Sequence, residues 1–91
     1  MEIKLLDIPN SGELYIKALR LKSNVRIDYK TDKHVSFIVE DDEKTHNVMY
    51  FSEKNGDKQW QCDCKWYTLQ NKPCSHIYAV CMAIKDGKLK I

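Results

Sequence analysis

Apolar and polar positions alternate along most of this chain, with a helical period towards each end and a strand period between them. From Ser11 to about Lys22, Leu14, Tyr15, Ala18, Leu19 and Leu21 fall on one broad arc of a helical wheel. Glu13, Lys17 and Arg20 fall opposite, so an amphipathic helix is predicted there, with Asn24 near its end. Val25, Ile27 and Tyr29 then alternate with Arg26, Asp28 and Lys30, the period of a half-buried strand. Val35, Phe37 and Val39 repeat that pattern after a short polar turn. Asp41-Asp42-Glu43-Lys44 reads as a solvated acidic loop leading to a third strand at about Thr45 to Ser52.

Asn55-Gly56 is the strongest short hairpin signal in the chain, because both residues tolerate the positive φ of a type I′ turn. A two-residue loop there pairs Lys54 with Asp57, Phe51 with Trp60 and Met49 with Cys62. Met49, Phe51, Trp60 and Cys62 are then expected on one sheet face. A last helix is expected from about His76 to Lys85, with Ser75 as N-cap, Lys85 in the final turn and Asp86-Gly87 as the stop. The predicted fold is α+β: an N-terminal helix, a three- to four-stranded antiparallel meander, a loop rich in cysteine and a C-terminal helix. All 91 residues are expected to form one domain, of a size where a hydrophobic core alone is only marginally stabilising.

The chemistry concentrates in Cys62-Asp-Cys64, nine intervening residues, and Cys74-Ser-His76. Three cysteines and a histidine match in number and type what a tetrahedral structural zinc site needs. On an extended segment, residues two apart point to the same side, so Cys62 and Cys64 can share one ion. Inside a helix the same spacing separates side chains by roughly 200°. Cys74 is therefore expected just before the helix and His76 in its first turn, with Pro73 stiffening the approach.

Other uses of these cysteines fit the sequence less well. Two disulfides would suit a secreted protein, but Met1 to Asp7 offers no apolar stretch for a signal peptide, and a Cys-x-Cys bridge is strained. A Cys74–His76 catalytic dyad is disfavoured because nucleophile and base normally converge from distant segments. Cys81 stands outside the pattern; it is either an alternative fourth ligand or, as its stripe with Ile77 and Ile84 favours, a small buried hydrophobe. His34 and His46 are isolated in strand-like segments and read as surface or satisfied histidines.

The order Cys-x-Cys, variable loop, Cys-x-His, at Cys62, Cys64, Cys74 and His76, resembles the SWIM-type zinc finger. The close likeness runs from about residue 58 to 85, inside a module of about 45–87, and includes the apolar run His76-Ile77-Tyr78-Ala79-Val80 after the second pair. The resemblance implies a ββα core around one structural Zn2+ ion, used to bind DNA or proteins rather than to catalyse.

Charge placement adds to this. The net charge of +2 hides a basic C-terminal part: residues 54–91 carry seven lysines against three acids, and residues 31–53 carry two cations against six acids. Lys58, Lys65, Trp66 and Lys72 are the candidate nucleic-acid contacts, combining phosphate attraction with base stacking. Lys65 and Lys72 have a second reading, as neutralisers of a zinc centre with one net negative charge. Arginine is missing from this part, so binding with little sequence preference is expected. Trp60 is expected in the core, and Trp66 and Tyr67 at the surface of the zinc loop. The expected role is a DNA-binding or DNA-associated accessory factor, or alternatively a protein-interaction adaptor with a purely structural zinc. No acid, base and nucleophile constellation suggests an enzyme. No apolar run approaches the roughly 18 residues of a membrane span, and thiol ligands favour a reducing, intracellular compartment.

Overall fold

The computed structural model describes residues 2–42 and 44–91; Glu43, one of the three acids expected at the hairpin tip, lies outside them. The order is α1 (Glu13–Leu21), β1 (Val25–Lys30), β2 (His34–Asp41), β3 (Lys44–Phe51), β4 (Trp60–Cys62), α2 (Lys65–Gln70) and α3 (Ser75–Lys85). The strands form an antiparallel meander in the order β1-β2-β3-β4, the predicted α+β arrangement. On its inner face lies α3, and α1 packs against α3.

The β2–β3 register decides which residues line the core. Asp41 pairs with Lys44, Val39 with His46, Phe37 with Val48 and Val35 with Tyr50. Facing residues share a side of the sheet, so Val35, Phe37 and Val39 put Tyr50, Val48 and His46 on the inner face. Asp42 takes φ 56° in the tight turn between the strands.

That register overturns the predicted β3–β4 pairing. Trp60 pairs with Tyr50 and Cys62 with Val48, one residue away from the expected Phe51 and Met49. A one-residue slip exchanges the faces of a strand. With the inner face of β3 already set by β2, a two-residue turn at Asn55-Gly56 would have sent Trp60 and Cys62 outward. The chain instead runs from Phe51 through a 3-10 turn, Gly56–Gln59, and enters β4 in the slipped register. Positive φ at non-glycine residues falls on Asp42 and Asn71, not on Asn55. Val48 and Tyr50 are accordingly buried, whereas Met49 and Phe51 are half-buried.

Two other expectations need correction. Leu19 faces outward on α1, which buries only Ala18 and Leu21, because the helix meets α3 over a narrower stripe than the broad arc suggested. Tyr29 is exposed because the β1–β2 register shifts between Ile27 and Tyr29 and breaks the alternation.

One end of the core is aromatic. Trp60 stacks with Phe37 at 6.1 Å and lies 4.8 Å from Tyr50 between ring centroids. The extended segment before α1 crosses this end. Trp60 Nε1 donates to Lys4 O at 3.0 Å, the Tyr50 hydroxyl accepts from Lys4 N at 3.0 Å, and Ile3, Leu6 and Ile8 pack below. Trp60 is thus a core residue, as its place in the pattern predicted.

Candidate metal centre

The opposite end of the same inner face holds the four predicted ligands. Cys62 ends β4, Cys64 caps the N-terminus of α2, Cys74 caps α3 and His76 lies in the first turn of α3. Cys74 therefore takes the capping place expected of Ser75, which is already the first helical residue. Between the pairs the loop contains α2, a short helix where an irregular loop was expected; it ends at Asn71 in the left-handed conformation, with Asn71 N donating to Tyr67 O at 2.8 Å.

The four donor atoms lie within 4.8 Å of one another and all four residues are buried. His76 Nδ1 is 3.8 Å from both Cys62 Sγ and Cys74 Sγ. Zinc bonds of about 2.3 Å to sulfur and 2.0 Å to nitrogen place tetrahedral S and N donors about 3.6 Å apart, so the cluster fits the ion. Cys81 lies outside the cluster, fully buried on α3, and burial pushes its thiol up to about 11. It is a core thiol, not the fourth ligand.

The titration of the cluster also fits a dication. Hydrogen bonding between Cys62 and Cys74 raises the first and lowers the second, so one sulfur gives up its proton at the expense of its neighbour. Burial raises Cys64. Packed sulfurs of this kind all become thiolates only against a compensating positive charge. A backbone amide supplies part of it: Cys64 Sγ accepts from Tyr67 N at 3.4 Å, at the start of α2. Cys64 and Cys74 both stand at helix N-termini, whose dipoles favour thiolate. No described carboxylate pairs with Lys65 or Lys72, and both are exposed.

Two further residues reach the centre. Asp41 was expected at a solvated tip; it is instead 8 % exposed and accepts from His76 Nε2 at 3.1 Å. Burial would raise its pKa, but bonds from His76 and Lys17 outweigh this and hold it low. Burial likewise works against a charged His76, and hydrogen bonds to Cys74 and Asp41 outweigh it in the upward direction. His46, half-buried, stacks on His76 at 4.1 Å and faces Asp63 at 3.3 Å from Nδ1. Both continue the inner rows Val35-Phe37-Val39 and Tyr50-Val48, a signal that becomes readable only once the β2–β3 register is known. His34 sits at the far end of β2 between the rings of Tyr29 and Phe51.

The candidate nucleic-acid contacts are only partly brought together. Trp66, 40 % exposed, and Lys72 line one groove of about 490 Å³ between the zinc loop and the N-terminal segment. Lys65 adjoins Trp66 on α2, but Lys58 belongs to the 3-10 turn before β4 and lines neither groove beside Trp66. Tyr67 turns inward, donating from its hydroxyl to Trp60 O at 3.2 Å. Leu69, not singled out from the sequence, is 70 % exposed one turn beyond Trp66. A larger cleft of about 970 Å³ opens beside the centre, between α1, the β2–β3 turn and Trp66.

No curated protein and no solved structure matches the chain. A family model described as the SWIM zinc finger matches residues 39–85, a little over half of the sequence. The match runs from the inner strand β2 through all four ligands to the end of α3, and with the donor geometry it establishes one structural zinc ion: the chain belongs to the SWIM zinc finger family.

Proposed function

We propose that this protein is a small, non-catalytic zinc module that associates with DNA through the surface of its zinc loop, with little sequence preference. The observation that carries the reading is the placement of Trp66 and Lys72 on one groove with Lys65 beside them on α2. An exposed indole offers a stacking surface to any base, and neighbouring ammonium groups offer contacts to phosphate. Four protein ligands leave the ion no open position for substrate, which favours a structural role for the metal. Thiol ligands that must stay reduced favour an intracellular compartment. No helix of the described residues is long and apolar enough to cross a membrane.

A second reading, a protein-interaction adaptor, is favoured by a different observation. Leu69 on α2, and Ile16 and Leu19 on α1, are large apolar side chains exposed at 70 %, 66 % and 43 %. Fluorescence anisotropy separates the two. The zinc-loaded protein is titrated into labelled single- and double-stranded DNA at several salt concentrations. Binding that weakens steeply with salt, and weakens further in Lys65→Ala with Lys72→Ala, supports the DNA reading. Absence of binding at low salt overturns it and leaves the adaptor.

A further inference from the structure

Asp41 is a buried carboxylate at the metal centre that the four-ligand pattern does not use. Its Oδ2 accepts from His76 Nε2 at 3.1 Å and lies 3.2 Å from Lys17 Nζ; its Oδ1 lies 3.8 Å from an Arg20 guanidinium nitrogen. These contacts join three elements. Asp41 ends β2, His76 begins α3, and Lys17 and Arg20 stand on α1, which lies before the residues matched by the family.

An imidazole that donates Nε2–H to a carboxylate has its bare lone pair on Nδ1. Here Nδ1 is the nitrogen turned toward the sulfurs, at 3.8 Å from two of them. A carboxylate in that place fixes the tautomer, restrains the ring and raises the basicity of the ligand. The carboxylate is restrained in turn, because Lys17 and Arg20 approach it from one face of α1, three residues apart. Arg20 is exposed and Lys17 half-buried while Asp41 is buried, so Asp41 is the fixed point and the α1 side chains fold down onto it.

We propose that Asp41 is the positioning residue of the zinc centre, and that through Lys17 and Arg20 it couples retention of the metal to the seating of α1. Coupling of this kind is reciprocal: whatever factor seated α1 adds to zinc affinity, bound zinc adds to the seating of α1.

The test uses the full chain. Zinc affinity is measured by competition with a chromophoric chelator, and amide exchange across residues 13–21 is followed with and without zinc. Asp41→Ala is expected to weaken zinc by about 10- to 100-fold. Asp41→Asn, which keeps an acceptor oxygen but no charge, is expected to lose less. Lys17→Met with Arg20→Met leaves the centre itself intact and is expected to lose about two- to fivefold, the size of one or two exposed ion pairs. Zinc is expected to slow exchange in α1 of the native chain and to slow it less in that variant. The His76 Nε2–H proton adds a readout that general destabilisation does not move. It exchanges slowly in zinc-loaded native protein and in the α1 variant, and rapidly in Asp41→Ala. Unchanged affinity in both Asp41→Asn and the α1 variant, or α1 exchange indifferent to zinc in the native chain, overturns the proposal. Should Asp41→Ala fail to fold, those two measurements still decide.

Discussion

The two ends of the inner sheet face are both sealed by residues from the first quarter of the chain, but by different means. At the aromatic end the segment before α1 satisfies Trp60 and Tyr50 with backbone groups of Lys4. At the metal end α1 reaches the centre through Lys17, Arg20 and Asp41. The first end is held by apolar burial and neutral hydrogen bonds, which need no ion. The second gathers three thiols, a histidine and a carboxylate, and buried thiols become thiolates together only against a compensating cation. Packing alone suffices at one end, and at the other it supplies only the frame.

Removing the metal should therefore break the ends unequally, and this is the largest effect expected. Structural zinc contributes about 10–16 kcal/mol in small modules, against about 5–15 kcal/mol for a whole domain. A strong chelator, or Cys74→Ser, should unfold at least residues 60–85, seen as loss of helical circular dichroism and a collapsed melting transition. A melt unchanged after the metal has been removed would refute the structural role. Acid should act in the same direction: protons compete for three thiolates, so apparent zinc affinity falls as pH falls. A competition titration repeated at several pH values checks this sign.

At the aromatic end, Trp60→Ala is expected to cost about 3–5 kcal/mol, because a buried ring stacked on Phe37 and Tyr50 is replaced by a cavity. Urea denaturation of the zinc-loaded variant measures it. The register gives a smaller contrast. Val48→Ala removes two buried methyl groups, worth about 0.8 kcal/mol each before any cavity term, whereas Met49→Ala acts at a half-buried outer position. A larger loss for Met49→Ala would favour the unslipped pairing. Smallest is Tyr50→Phe, which removes the part-buried hydroxyl shared by Lys4 N and Gln59 Nε2 and should cost about 0.5–1.5 kcal/mol while leaving zinc affinity unchanged.

The same two ends differ in how far the sequence revealed them. The ligands were legible because Cys62, Cys64, Cys74 and His76 lie within fifteen positions and their chemistry is local. Most strands and both long helices were legible from their periods. Asp41 and His46 were not, since their roles depend on which face of β2 and β3 meets α3, and that was fixed by a turn elsewhere. The tight turn at Asp42 outweighed the local preference of Asn55-Gly56, and one residue of slip moved His46 from the outside to the centre. The lining by residues 2–8 was invisible for the same reason: no period in that segment announces that its backbone will cap a tryptophan.

That lining has a kinetic consequence. The bonds from Lys4 to Tyr50 and Trp60 span 46 and 56 positions, whereas the zinc ligands and the β2–β3 turn join near neighbours. Closing a long loop demands more chain entropy than closing a short one, so the first eight residues should dock late and release early. Once Trp66 is replaced by Phe, the emission of Trp60 becomes a single-site clock for that last closure.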